Sequence, residues 1–479
     1  MNEPPFPIDS TRAALRRSHT LDAANRVRSV IRGANSSAEE SAKSDAPPAS
    51  RADYQSIKGE LQERLLAEIG ERQLLGSSDE TVAGAVMDFA TRVLDTEGLP
   101  LNEHERRRLA EDLTEETLGI GPLAPLMADP AITDILVNGP DQVYAERFGR
   151  IERTSIRFRD HEHIIRVIER IAARVGRRID SASPMADLRL PDGSRVNATL
   201  PPVTIDGPTI SIRRFGKRRL RRSQLLELGM MSAEMVHLLE IAVQARMNIL
   251  ISGGTGAGKS TLLGALAEVI PSHERVVMIE DTAELVLDQE HVIRMETRPP
   301  NLEGRGRITA RDLVTNSLRM RPDRIIVGEV RGGDALDMLQ AMNTGHDGSL
   351  TTIHANSTRD ALARLETMVL MAGLDLPSRA IREQMSSAIQ LIVHVRRCED
   401  GVRRVETIAE ITGLEGATPL LQDLFNFRRR GRSAKRIVGD FAAAGIVPRF
   451  VTELRETGVD VPLSMFQRRS AGESAGGEA

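Results

Sequence analysis

At 479 residues the chain has room for about three domains of ordinary size, each with its own core. Its 64 basic and 68 acidic residues leave a net charge of -4, which excludes a globally basic polyanion binder while leaving local basic patches open. A single cysteine, Cys398, excludes an intrachain disulfide and a multi-cysteine zinc site and points to a reducing compartment; no Trp, 2 Tyr and 10 Phe leave few rings for stacking nucleic-acid bases.

Residues 1–52 are rich in Ser, Ala, Pro and mixed charge without an apolar period, the composition of a disordered tail. The first residues lack the apolar h-region of a signal peptide, and no apolar run reaches the roughly 18 residues of a membrane span, so a cytoplasmic protein is expected. Over residues 53–118, "YQSIKGELQERLLAEI" and "ETVAGAVMDFATRVL" carry apolar residues at helical spacing and predict a small helical bundle.

From residue 119 to 215 the period changes. "ITDILVNGPDQVYAERFGRIERTSIRF" predicts a three-stranded β-meander, and "DHEHIIRVIERIAARVG" a helix with Ile164, Val167, Ile168, Ile171 and Val175 on one face and Gly176 at its end. His161, Glu162 and His163 lack the spacing of a metal-binding H-E-x-x-H helix and read as a solvated helix start. Residues 216–228 form a basic linker. Residues 229–450 alternate strand and helix patterns, as an α/β domain with a parallel sheet requires; Asp400-Gly401 marks a hairpin near its end. Beyond Asn426, "RRRGRSAKR" and residues 451–479 form a weakly patterned C-terminal segment and tail.

Within the α/β region, "NILISGGTGAGKSTLLGALAEVI" holds a complete Walker A pattern between a strand and a helix. Gly253, Gly254, Thr255, Gly256, Ala257 and Gly258 form a loop whose backbone N–H groups close around phosphate, at a helix N-terminus whose dipole favours anions. Lys259 is expected to reach the β- and γ-phosphates and Ser260, followed by Thr261, to ligate Mg²⁺. The motif by itself specifies nucleotide binding, not hydrolysis.

Hydrolysis needs a carboxylate that orients water, at the end of a strand neighbouring the P-loop strand. "IIVGEVRGG" ends an apolar strand in Glu329, which suits that place; Gly328 precedes it where an aspartate is usual. A second acid then comes from "RVVMIEDTAEL", which offers Glu280, Asp281 and Glu284, though Glu280 and Glu284 equally suit solvent or pairing with arginines. "NTGHDG" and "SLTTIHANS" place His346 and His354 around a further strand, and a histidine at the C-terminal edge of a parallel sheet sits where ligands bind. Ser357 and Asp360 form a capping-box signature for the next helix. Upstream, Arg195, Arg213 and Arg214 suit either a solvated surface, contact with charge developing on phosphate across a domain or subunit boundary, or a nucleic-acid track that the shortage of aromatics disfavours.

Together "GGTGAGKST", "IEDTAEL", "RMRPDRIIVGEVRGGDALDMLQAMNTGHDGSLTTIHANS", "PMADLRLPDGSRVNA" and "ISIRRF" closely resemble the type II/type IV secretion ATPase superfamily, and within it the CpaF-type ATPases of Tad (Flp) pilus assembly. The resemblance covers residues 54–450. It implies an ATP- and Mg²⁺-dependent homo-hexameric motor: a RecA-like P-loop domain preceded by a smaller PAS-like α/β domain and the helical bundle. It also implies peripheral membrane association through inner-membrane platform proteins, without nucleic acid. By it, Glu329 is the Walker B glutamate, Glu280, Asp281 and Glu284 belong to an acidic box, His346 and His354 to a phosphate-sensing histidine box, and Arg195, Arg213 and, less closely, Arg214 reach the nucleotide from the N-terminal domain. Thr282 departs from the pattern, standing where related pilus and type II ATPases often carry proline; the tetracysteine zinc motif that many of them carry is missing, which argues against that branch and agrees with the Tad-type assignment. Two rival readings are a nucleic-acid translocase of the conjugation or competence type and a non-hydrolysing nucleotide switch.

Overall fold

The computed structural model describes residues 57–61, 64, 65, 68, 79–96, 101–147, 149–214, 222–298, 300, 305–433 and 436–468. The tail expected over residues 1–52, residues 216–221 of the expected linker and the chain from 469 onward lie outside them. The remainder of that linker is ordered as a helix, Arg222–Glu227. The chain divides into two units at Phe215/Gly216.

In the first unit, helices Asp79–Thr96 and Glu103–Leu118 enclose Leu61, Leu65, Val86, Phe89, Val93, Leu109 and Leu113. Asn102 and Glu105 cap the second helix reciprocally, each side chain accepting from the other's backbone N–H at 2.9 Å. A six-stranded antiparallel sheet follows: β1 (Ile132–Gly139), β2 (Gln142–Arg147), β3 (Arg150–Arg153), β4 (Met185–Arg189), β5 (Arg195–Thr199) and β6 (Thr209–Arg213), ordered β3-β2-β1-β6-β5-β4. The strands alternate buried and exposed residues, and the buried set packs against Ile164, Val167, Ile168 and Ile171 of helix His161–Arg174. Val175 is instead the C-cap residue and 37% exposed, before Gly176 at φ +66°.

His163 corrects the sequence reading. It is 4% exposed, with Nε2 2.9 Å from Glu116 Oε2 and its ring edge-on to Phe158, while Lys58 Nζ lies 3.0 Å from the other Glu116 oxygen. Burial pushes the Glu116 carboxyl up, but the His163 hydrogen bond and the Lys58 charge outweigh it and leave the group below the ordinary carboxylate range. His163 stands four residues before Val167, so it shares the apolar face rather than the solvated one. His161 and Glu162 do remain exposed.

The second unit is a nine-stranded mixed sheet. Six strands run parallel: β7 (Ile249–Gly253), β8 (Val276–Glu280), β9 (Val292–Glu296), β10 (Arg324–Val327), β11 (Leu350–His354) and β12 (Leu391–Arg397); β13 (Arg403–Glu415), β14 (Thr418–Ser433) and β15 (Arg436–Ala443) extend it antiparallel. The order is β15-β14-β13-β12-β7-β11-β10-β8-β9, in which β12-β7-β11-β10-β8 is the RecA-like succession. β7 and β8 are buried at every residue because helices cover both faces. Ile249 and Ile251 join Leu238, Leu239, Leu262 and Leu263 on one face, and Leu250 joins Leu336, Leu339, Leu362 and Leu365 on the other. The hairpin at Asp400-Gly401 joins β12 to β13. The C-terminal part differs from its weak sequence pattern: β14 runs through the arginines to Ser433, and Val451, Val461, Met465 and Phe466 belong to the first of these cores. No described helix is long and apolar enough to cross a membrane.

Two buried charges organise the two edges of the parallel sheet. At the N-terminal edge Arg324, fully buried, pairs with Glu274 and donates to Val243 O at 2.9 Å and Gly348 O at 3.3 Å. A Cβ on Gly348 (φ +82°) would fall 1.8 Å from the guanidinium, so glycine is required there for space and for conformation. At the C-terminal edge Glu280, 6% exposed, accepts backbone N–H bonds from Glu284 at 3.1 Å and Leu285 at 3.0 Å, folding the loop after β8 back onto its own strand. Glu280 is therefore neither solvated nor, among the described residues, in an ion pair with an arginine, the two alternatives its sequence left open.

Arg324→Met is expected to lose on the order of 3–5 kcal/mol in denaturant unfolding, because Glu274 stays buried beside only Arg246. Arg324→Lys is expected to recover little, since one ammonium cannot reach the same spread of acceptors. Burial raises the Glu280 pKa to about 7 from an ordinary 4.5. The folded value lies above the unfolded one, so its stabilisation is complete below pH 4.5 and is lost as pH rises through 7. Glu280→Gln keeps an acceptor for the loop and is expected to be more stable than the wild type at pH 8, by on the order of 1–3 kcal/mol, with the gap closing toward pH 5. A Tm difference that does not change with pH would contradict this.

Candidate nucleotide site

β7 delivers the chain to the C-terminal edge of the parallel sheet, and helix Lys259–Ala267 carries it away. The loop between them is shaped by what its glycines permit. A Cβ on Gly253 would stand 2.3 Å from Val395 O on β12, and Gly256 and Gly258 hold φ of +68° and +100°. Gly258 is the N-cap and supplies no side-chain cap, so the first backbone N–H groups of the helix are left for a ligand. Gly254, Thr255, Gly256 and Ser260 are exposed, Thr261 is half-buried, and Ala257 is buried beneath them. A narrow loop of main-chain donors with an exposed hydroxyl in the first helical turn fits a nucleotide's phosphates and a magnesium ion.

Lys259 is 7% exposed, and its ammonium donates to Gly253 O and Gly254 O, both at 3.1 Å, and approaches His354 Nδ1 at 3.3 Å and Nε2 at 3.4 Å. Burial lowers the Lys259 pKa, the Glu329 charge opposes this, and the Arg331 and Arg364 charges add to it. His354 ends β11 in register with Gly253. Burial and the neighbouring Lys259 charge lower its pKa as well, so the imidazole is neutral at pH 7. Its Nε2 lies 3.0 Å from Glu329 Oε1. The tautomer that satisfies both contacts carries the proton on Nε2, donating to Glu329, and leaves Nδ1 to accept from Lys259. The result is an ordered line of ammonium, imidazole and carboxylate along the edge of three adjacent strands.

Glu329 does not stand beside the P-loop strand as the sequence reading placed it. β11 lies between β7 and β10, and His354 fills the gap. Glu329 lies two residues past β10, held on its second oxygen by Arg331 NH2 at 2.9 Å. Asp281 receives the other guanidinium nitrogen of Arg331 at 3.0 Å. Glu284 contributes its backbone N–H to Glu280, so Glu280 and Glu284 build the loop that presents Asp281.

Other expected site residues are elsewhere. His346 precedes β11, whereas the P-loop follows β7; because those strands are parallel, His346 lies at the opposite edge of the sheet from its own chain's P-loop, separated by the length of β11. Arg195, Arg213 and Arg214 belong to the first unit. Arg195 and Arg213 are directly opposite on β5 and β6, with Arg213 exposed and bonded to Asp134 at 3.1 Å. Arg214 is instead committed to the Asp129 and Ile132 carbonyls, the latter at 3.1 Å, which ties β6 to the start of β1.

Sequence reasoning passed over three arginines of the second unit: Arg331, Arg364, whose charge acts on both Lys259 and His354, and Arg403, whose Nε donates to Gly256 O at 2.9 Å. Arg331 stood in the quoted "IIVGEVRGG"; Arg403, 147 positions from Gly256, carries no local signal.

Residues 116–428 match the family model described as Type II/IV secretion system protein. A Mycobacterium tuberculosis protein provisionally named for conjugal transfer is 39% identical over 310 residues, covering 64% of this chain and 88% of that protein. The type IV secretion system protein VirB11 of Brucella suis is 33% identical over 311 residues, covering 59% and 86%. The crystal structure of the Brucella suis VirB11 ATPase in complex with sulphate aligns over 60% of this chain and 94% of that one, at 31% identity and a TM-score of 0.34. With a match across well over half its length, the chain belongs to the type II/IV secretion system protein family.

Proposed function

We propose that this protein is a Mg²⁺-dependent ATPase that works as a homo-hexameric motor for Tad (Flp)-type pilus assembly or secretion, cytoplasmic and held at the inner membrane by platform proteins. The observation that carries the ATPase reading is the Lys259–His354–Glu329 line beside the P-loop. A nucleotide switch without hydrolysis has no use for a carboxylate fixed at that edge. Family membership and the CpaF-like sequence blocks support the motor and its pilus setting.

In this reading the loop N–H groups from Gly254 to Lys259 bind phosphate oxygens, and Lys259 exchanges its carbonyl contacts for them. Ser260 would hold Mg²⁺, which draws phosphate charge toward itself. Glu329 accepts a hydrogen bond from the attacking water and orients it; His354, neutral, keeps the carboxylate in place and has a donor for phosphate on rearrangement. The bond to the terminal phosphorus is exchanged from the bridging oxygen to the water oxygen, giving ADP and phosphate. Exposed Arg213 and half-buried Arg195, directly opposite each other, are the arginines that would meet this charge from a neighbouring subunit.

Glu329→Gln is expected to retain nucleotide affinity while turnover falls by about 10²- to 10⁴-fold in a phosphate-release assay; unchanged turnover removes Glu329 from this role. DNA or RNA is expected to leave the wild-type rate unchanged, and strong stimulation would favour the nucleic-acid translocase. Mixing Arg213→Ala subunits with Lys259→Ala subunits is expected to restore part of the activity that each lacks, since one interface then holds both functional groups. Complete failure of that complementation would place Arg213 in cis.

A further inference from the structure

Arg331 is held from both sides. Asp334 accepts the Arg331 backbone N–H at 3.4 Å and that of Gly332 at 2.9 Å, fixing where the arginine leaves the main chain. A Cβ on Gly333 would meet Ala372 Cα at 3.0 Å, so the following segment is seated against the end of helix Thr358–Leu370. The other anchor, Asp281, has its carbonyl bonded by Thr297 Oγ1 at 3.2 Å, and Thr297 N donates to Glu280 O at 3.0 Å. Between these two supports the guanidinium spreads NH1 to Asp281 and NH2 to Glu329.

Glu329 needs such a support. It lies beyond the end of its strand, and its strand is not the neighbour of β7, so its carboxylate has to lean across β11 to serve the phosphate edge. His354 holds one carboxylate oxygen at a single point, which leaves the group free to rotate about that contact. A second donor on Oε2 fixes its plane. Arg331 is exposed; its charge is felt at Lys259 and His354, but its described ion pairs run to Asp281 and Glu329, and the contact it makes at the phosphate edge is with the Glu329 carboxylate.

We propose that Arg331, anchored by Asp281, is the positioning residue that turns the Glu329 carboxylate toward the phosphate edge. Asp281 then acts through an arginine rather than by touching the nucleotide. The inference rests on the ATPase reading, and the experiment separates the two.

Turnover and the affinity for a fluorescent ATP analogue are measured on the full chain for wild type, Arg331→Gln, Arg331→Lys, Asp281→Asn, the Asp281→Asn/Arg331→Gln double variant and Glu329→Gln. Arg331→Gln is expected to lower kcat about 10- to 100-fold with analogue affinity unchanged. Arg331→Lys is expected not to recover it, because a point charge cannot span two carboxylates. Asp281→Asn is expected to lower kcat alone but to add nothing to Arg331→Gln, the sign of a shared path. Wild-type kcat in Arg331→Gln, an equal loss of affinity, recovery by lysine, or additive effects would each overturn the positioning role. If the wild type shows no turnover, or Glu329→Gln turns over like the wild type, the ATPase reading itself falls and the positioning role with it. If Glu329→Gln is inactive while Arg331→Gln is not, only the positioning role falls.

Discussion

The imidazole of His354 between Lys259 and Glu329 is the contact on which the site depends. Lys259 opens a helix and Glu329 lies past the end of β10; their charges act on each other, and the strand between β7 and β10 supplies a ring that links them, accepting on one side and donating on the other. That ring is useful only while neutral. Its burial and the adjacent ammonium keep it so, and the same burial weakens the hold of Lys259 on its own proton. Charge, order of strands and protonation state are therefore one constraint seen three ways.

The parts legible in sequence are those where local geometry demands a residue type. A loop that passes 2.3 Å from a neighbouring carbonyl and visits positive φ can be built only from glycine, so the phosphate loop announces itself. An apolar run that ends abruptly in a carboxylate likewise marks Glu329. Strand order is different: β8, β10 and β11 follow β7 in the chain, but the sheet places β11 beside it, and no local pattern records that inversion. His346 and His354 are close in sequence yet stand at opposite ends of one strand. His163 and Arg324 were missed for a related reason, since the groups that justify burying them, Glu116 and Glu274, are 47 and 50 positions away.

The first unit shows how one residue type takes different tasks on one sheet. Arg213, the last residue of β6, and Arg214, the next one along, take different directions: Arg213 toward solvent beside Arg195, Arg214 onto main-chain carbonyls that fix the start of β1. The end of the strand separates the two roles even though "IRRF" looks uniform. The buried Glu116, with Lys58 and His163 on its oxygens, joins the helical segment to the sheet-covering helix through charge rather than apolar contact. Such a junction specifies one arrangement, because sliding either helix by a turn would strand a carboxylate in the interior.

The last feature is the outer ribbon of the nine-stranded sheet. β15 is its terminal strand, and residues 428–433 of β14, mostly arginine, are exposed on both faces of the ribbon. A terminal strand carries main-chain donors and acceptors that another polypeptide could capture. Three of these guanidinium groups are instead engaged within the sheet: Arg430 pairs with Asp440 of β15, and Arg429 and Arg432 reach Glu399 in the turn between β12 and β13. A stretch that looks, in sequence, like an unpatterned basic tail thereby ties the outermost strand to its neighbour and to the turn two strands away.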